Sequence, residues 1–266
     1  MRSVSLNRGD SLLFREINLS QELSYADLKP LSDIHWEDRL CNTDALHDWR
    51  KWILASEDRF WYGGGDLFNV ATRDSVTGIF GQRMTLDQAI DEAAEFLEPV
   101  ADRCWGMVSG NHCLRIAKYA GMNPVYRLSR ELGLAYDEDG LFFKVRLGEK
   151  KRNGKPQVYT VYATHGTGGG KRIGGKANRL EDMGGMILAD IYMVSHTHVK
   201  LAFTDNLIVP DLYNNNIRFI ERTYVNTSAL LGWGGYSERG GYRPSAQGSP
   251  CVRLYGSDSK EVRVIL

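Results

Sequence analysis

Ile191-Tyr192-Met193-Val194-Ser195-His196-Thr197-His198 is an apolar run of strand length that stops on two histidines. A short continuous apolar run reads as a buried strand, so the histidines fall where that strand ends. The same plan recurs along the chain. Leu28–Leu31 leads into Asp33-Ile34-His35, Phe60–Tyr62 into Gly63-Gly64-Gly65-Asp66, Cys104–Val108 into Gly110-Asn111-His112, and Gln157–Ala163 into Thr164-His165. These ends hold five of the six histidines, and His47 alone lies outside. In open α/β sheets, ligands bind beyond the carboxyl ends of the strands. A neutral imidazole offers a nitrogen lone pair at ordinary pH, and carboxylate and asparagine oxygens add harder donors. The recurrence predicts a two-metal site more strongly than any single motif does.

Helical patterns alternate with these strands. Thr43–Ala55 places Leu46, Trp49, Ile53 and Leu54 near helical spacing. Thr85 with Gln88 forms a capping-box pattern ahead of Leu86, Ile90, Ala93, Ala94 and Leu97. Leu114–Tyr119 reads as a short helix closed by Gly121, and Ala177–Leu188 as another despite Gly184 and Gly185. Further strands are expected at Leu12–Leu19 and Leu141–Leu147, with Asn153-Gly154 turning the chain into Gln157–Ala163. After His198 the pattern is all β: Lys200–Thr204, Leu207–Val209, Arg218–Val225, Val252–Tyr255 and Val262–Leu266. Gly232–Gly248 is a long glycine-, tyrosine- and arginine-rich loop, and long loops tend to be functional. The expectation is one α/β domain over residues 1–266.

Bulk properties narrow the functions. The formal net charge is zero, so no global basic field points to nucleic acid. Met1–Glu16 lacks the apolar stretch of a signal peptide. No run approaches the roughly 18–20 apolar residues of a membrane span. The four cysteines are scattered without a CxxC pair, which favours reduced thiols and a cytoplasmic location. His47 sits among Asp44, Asp48 and Lys51 and reads as part of a solvated helix face.

The ordered set Asp33-x-His35, Gly65-Asp66, Gly110-Asn111-His112, His165 and His196-x-His198 resembles the calcineurin-like metallophosphoesterases, over about Ser32 to His198. Gly63–Asn69 and the glycines after His165 look most like phage or prophage members, which implies host cytoplasm. The resemblance implies two stacked mixed β-sheets flanked by helices, a four-layer sandwich. It implies that Asp33, His35 and His198 hold one metal, that Asn111, His165 and His196 hold a second, and that Asp66 bridges them. A hydroxide between the metals would attack phosphorus, with His112 beside the leaving group. The metals expected are two divalent ions, manganese ahead of iron, zinc or nickel. Two positions depart from the family pattern: Cys113 stands where an acid often follows Asn-His, and Asn69 where a second aspartate is common. Asp66-Leu67-Phe68-Asn69 looks more like the nuclease and nucleotide-hydrolase branches than the protein phosphatases, whose usual Asp-Arg-Gly is absent, which tilts the expectation to a phosphodiester of a nucleotide or nucleic acid. The alternatives are a phosphomonoesterase and a non-catalytic scaffold of the same fold.

Substrate contacts are expected from Asn69, from Lys171 and Arg172 in the loop after His165, and from Tyr236 and Arg239 in the long loop. Gly170–Lys176 also fits the GxxxxGK spacing of a phosphate-binding P-loop, but Ala177 follows where that motif needs Ser or Thr. No membrane partner is expected.

Overall fold

The computed structural model describes residues 7–9, 12–73, 75, 78–150 and 153–266. Among the described residues, thirteen strands form two mixed sheets. The first sheet contains β1 (Asn7–Gly9), β2 (Leu12–Asn18), β7 (Gly140–Leu147), β8 (Gln157–Thr164), β9 (Ile191–Val194), β10 (Lys200–Asp211) and β11 (Asn216–Thr227). Its order is β1-β2-β7-β8-β9-β11-β10. The second contains β3 (Tyr25–Leu31), β4 (Arg59–Gly63), β5 (Cys104–Val108), β6 (Tyr136–Asp137), β12 (Cys251–Tyr255) and β13 (Val262–Ile265), in the order β13-β12-β3-β4-β5-β6. Helices α1 (Thr43–Leu54), α2 (Leu86–Leu97), α3 (Cys113–Ala120), α4 (Pro124–Glu131), α5 (Ile173–Met186) and α6 (Gly235–Arg239) complete the fold.

Three apolar clusters define the layers. Leu28, Tyr62, Trp105 and Val108 of one sheet pack against Phe143, Val161, Ile191 and Met193 of the other. Trp49 and Ile53 of α1, Ile90 and Leu97 of α2, and Val125 and Leu128 of α4 cover the opposite face of the second sheet through Leu31, Trp61 and Met107. Leu180 of α5 packs on Tyr162, Tyr192 and Tyr224 of the first sheet. The result is helix, sheet, sheet, helix, because each sheet has two apolar faces to bury. Truncating one of these buried side chains to alanine would cost about 2–5 kcal/mol.

Local signals account for most element ends. Thr85 caps α2 in a complete capping box, and Gly121 closes α3 at φ 64°. The structure departs from the sequence reading in several places. α4 was not expected, although Asn123 accepts from the amides of Val125 and Tyr126 and Pro124 opens the helix. α5 starts at Ile173, four residues before Ala177, and takes in Gly174 and Gly175. The two short strands expected at 200–204 and 207–209 are one strand, β10, paired with β11 from Lys200↔Thr227 to Asp211↔Asn216. Asp205, between the two expected strands, is paired with Arg222 directly across the ladder. The loop Gly232–Gly248 contains the short helix α6.

β3, β4 and β5 are adjacent and mutually parallel, and so are β8 and β9. Their carboxyl ends therefore lie on one rim of each sheet.

Candidate metal centre

Each of those five strands runs directly into a turn that carries the predicted ligands. The backbone there is unusual. Seven non-glycine residues have positive φ among the described residues, and five of them are Asp33 (51°), His35 (52°), Asp66 (47°), His196 (69°) and His198 (53°). A residue in a sparsely populated conformation costs on the order of 1–3 kcal/mol and persists only when its surroundings over-determine it. The surroundings do so here. The Gly65 carbonyl accepts from Asp33 N at 3.0 Å, and the Asp66 carbonyl accepts from Ile34 N at 3.0 Å and His35 N at 3.1 Å. The Asp66 carboxylate accepts from His112 N at 2.8 Å, and that of Asp33 from His196 N at 3.2 Å. Lys176 of α5 donates to the Thr197 carbonyl at 2.7 Å, fixing the turn between His196 and His198.

The side chains converge. Asp33, His35 and His198 place one donor atom each within 4.8 Å of one another; so do His35, Asp66 and His112, and so do Asp66, His165 and His196. The groups interlock through His35 and Asp66. Asn111 joins the third, its Oδ1 lying 3.1 Å from His165 Nε2. Asp33 and Asp66 are 0% and 1% exposed, so the carboxylates sit beneath the histidines rather than in water.

Hydrogen bonding fixes which nitrogens keep lone pairs. His165 Nδ1 lies 2.8 Å from the Gly64 carbonyl and donates to it, so Nε2 faces the cluster. His35 Nδ1 lies 3.3 Å from Asn69 Oδ1, and its buried Nε2 has no hydrogen-bond partner. Asp33 Oδ1 is likewise buried without a hydrogen bond, although His198 Nε2 is 3.0 Å away. Around His165 Nε2, Asn111 Oδ1 at 3.1 Å and Asp66 Oδ2 at 3.2 Å offer further lone pairs. Lone-pair donors this close repel unless a cation or proton lies between them. The donor set thus fits divalent ions bound by nitrogen and oxygen.

The charge pattern agrees. Burial, helped by the neighbouring His112, pulls the His35 ring down to about 3, which keeps it neutral. Burial also lowers His112 and His196, with Asp66 opposing in the first case and His165 reinforcing in the second. Burial opposes charging of His165 too, but Asp66 and Asp33 outweigh it and push that ring up to about 9. Asp66 is pulled down against its burial by His165, His112 and His35.

Asn69 lies behind the histidines, 1% exposed. Its amide donates to Asp38 and Gln82, each at 3.1 Å, while its Oδ1 faces His35 and, at 3.0 Å, His112 Nδ1. Its side chain thus links the two histidines to Asp38 and Gln82. Cys113 is fully buried at the start of α3, and burial pushes its thiol up. Lys171, Arg172 and Arg239 are exposed. Lys171 Nζ lies 5.7 Å from the Tyr242 ring centroid, so the loop after His165 meets the loop around Tyr242. The side chain of Tyr236 lies outside the described residues. His47 is exposed, with its ring edge on Phe96.

Sequence reasoning missed two residues at the centre. Buried Glu37 accepts from Asn69 N at 2.7 Å and Val70 N at 3.2 Å, holding the turn after Asp66. Arg115 brings a guanidinium nitrogen 3.0 Å from His112 Nε2. Its place three residues after His112, at helical spacing, was the available signal.

No family model matches the sequence, and no curated protein matches it. Solved structures do resemble it at low identity. A conserved uncharacterized protein of Streptococcus pneumoniae, described as a predicted phosphoesterase, is 13% identical with TM-score 0.39, covering 91% of this chain and 90% of that one. A metallophosphoesterase from Sphaerobacter thermophilus is 13% identical with TM-score 0.40, covering 90% and 88%. A calcineurin-like phosphoesterase from Bacillus subtilis is 10% identical with TM-score 0.34, covering 67% and 63%. Scores this low assign neither activity nor substrate. Among the described residues, no helix is long and apolar enough to cross a membrane.

Proposed function

We propose that the protein is a phosphoesterase dependent on two divalent metal ions, acting on a phosphodiester of the nucleotide or nucleic-acid class. The observation that carries this reading is the set of three interlocking donor groups sharing His35 and Asp66, with buried lone pairs on Asp33 and His35 left unsatisfied. Asp33, His35 and His198 would hold one ion and Asn111, His165 and His196 the other, with Asp66 shared. What two divalent ions supply in such a cluster is Lewis-acid polarisation of a phosphoryl oxygen and a more acidic water. Manganese is the first choice among manganese, iron, zinc and nickel, since imidazole and carboxylate donors suit them all.

The chain's own residues orient that chemistry. Gly64 and Asn69 take the Nδ1 protons of His165 and His35, so both rings present Nε2 inward. Asn111 contributes a neutral oxygen, which limits negative charge in the cluster. His112 stands at the open side, with its Nε2 4.0 Å from Asp66 Oδ2, where a departing oxygen would meet it. Asn69 is a positioning residue for His35 and His112. Lys171, Arg172, Tyr236 and Arg239 are the proposed contacts to the remote part of the substrate.

The test is a paired panel, one aryl phosphodiester and one aryl phosphomonoester, assayed with each divalent metal alongside elemental analysis. Faster diester hydrolysis by protein holding about two ions per chain is the expected result. Preferential monoester hydrolysis would overturn the diester assignment, and protein that binds no metal would point to a scaffold instead.

A further inference from the structure

Arg115 stands in the first turn of α3, half-buried, with Nη2 3.0 Å from His112 Nε2. His112 Nδ1 lies 3.0 Å from two oxygens of Asn69, the backbone carbonyl and Oδ1. Both are acceptors, because the amide nitrogen of Asn69 is directed at Asp38 and Gln82. The Nδ1 atom therefore carries the hydrogen, and Nε2 accepts from Arg115. An imidazole held this way has no proton on the nitrogen that faces the cluster. The group with hydrogens to offer at that place is the guanidinium.

Arg115 also lacks what a partly desolvated cation normally has. Among the described residues it forms no ion pair, Asp66 acting on it only from longer range, and its Nη1 is a buried donor without a hydrogen-bond partner. A guanidinium presents its N–H groups as a rigid fork suited to oxyanions, and it stays charged at any ordinary pH. One arm of the fork is on His112 and the other is unsatisfied.

We propose that Arg115 is a catalytic residue that stabilises the charge developing on the leaving oxygen, so that the enzyme serves esters whose alcohol departs as a basic alkoxide. The sugar oxygens of nucleotides belong to that class. The proposal rests on the phosphoesterase reading. In the step concerned, the oxygen of water forms a bond to phosphorus. The leaving oxygen keeps the electron pair of the P–O bond that breaks, and Arg115 donates hydrogen bonds to it. One proton of the water ends on the departing alcohol after the bond has broken, and the other stays with the product phosphate. Charge on an alkoxide-like oxygen is met by a preorganised donor, which is the kind of interaction that lowers a barrier.

The experiment compares wild type, Arg115→Met, Arg115→Lys and His112→Ala on phosphodiesters with leaving phenols of rising basicity, ending with an alkyl leaving group. Metal content is measured throughout. Arg115→Met is expected to keep both ions and to lose little kcat/KM with nitrophenolate, but about 10²–10³-fold with the most basic leaving groups, the worth of one oxyanion donor. Arg115→Lys should recover part of that loss. Binding of inorganic phosphate, measured by calorimetry, should be unchanged in Arg115→Met. A loss equal across all leaving groups, loss of metal, or weakened phosphate binding would each overturn the assignment, the last by placing Arg115 on the phosphoryl oxygens. Wild type that holds both ions yet hydrolyses no ester would sink the phosphoesterase reading itself, a different outcome from an active wild type with an indifferent Arg115.

Discussion

Two glycine-rich regions look alike in the sequence and do opposite things. In the turns of the metal centre, glycine is required because another residue occupies the space a side chain would need. A Cβ on Gly110 would stand 2.0 Å from Asp66 Oδ1, and one on Gly65, at φ 88°, would stand 2.6 Å from His165 Nδ1. In the stretch from Gly166 through α5, Gly170, Gly174, Gly175 and Gly185 have nothing within 4 Å of the Cβ position. Three glycines there are exceptions: Gly166 has Val194 in the way, Gly168 has Arg179 and Gly184 has Tyr224, while Gly169 has only the Tyr242 hydroxyl at 3.8 Å. The first region is built by close approach of polar groups. The second is mostly open surface, where glycine only weakens a helix.

The sharpest way to break this comparison is Gly110→Ala. A methyl group there has to displace the Asp66 carboxylate, so the variant should lose metal about as completely as Asp66→Ala. Elemental analysis of both purified variants checks this. Gly110→Ala protein with a full complement of ions would show that the turn yields more easily than its geometry implies.

Glu37→Ala probes the same region from beneath. It leaves the buried amides of Asn69 and Val70 without their carboxylate. At about 1–3 kcal/mol for each of the two stranded donors, stability should fall by roughly 2–6 kcal/mol. Chemical denaturation measures it. A change below about 0.5 kcal/mol, typical of a surface position, would mean water replaces the carboxylate freely.

In the second region, Lys171→Ala combined with Arg172→Ala should leave metal content untouched. Exposed charge contacts are worth about 0.2–1 kcal/mol each, so losing two should lower kcat/KM on oligonucleotides about two- to thirtyfold at low salt. Small aryl diesters should be nearly unaffected, and added salt should shrink the difference. Equal efficiency on large and small substrates would make the loop a plain surface turn.

Gly174→Ala should have the smallest effect and the opposite sign. With open space around its Cβ and a helical backbone, it should raise stability by about 0.4–1 kcal/mol through the unfolded state. A thermal melt that shifts downward would show that this glycine is needed after all.

The sequence was legible where local chemistry repeats. The apolar runs of β5 and β9 have the limits read from sequence, because a buried strand bounded by polar turn residues leaves little choice. The capping box at Thr85 and the left-handed Gly121 are likewise local hydrogen-bonding solutions. The potential donor types and their places at strand ends could be read for the same reason.

Only the tertiary structure decided how those ends meet. Parallel pairing of β3, β4 and β5, and of β8 and β9, aligns the strand ends within each sheet, and the stacking of the two sheets then brings together residues as far apart in sequence as Asp33 and His198. No local pattern encodes that pairing, because sheet order is chosen by burial on both faces of each sheet. The same holds for Asn69, Glu37 and Arg115. What the sequence shows is an asparagine, a glutamate and an arginine of ordinary type. Burial beside His35 and His112 is what makes the first two positioning groups and leaves the third a cation with an unsatisfied arm, since a polar group acquires its role from the partners that replace its water.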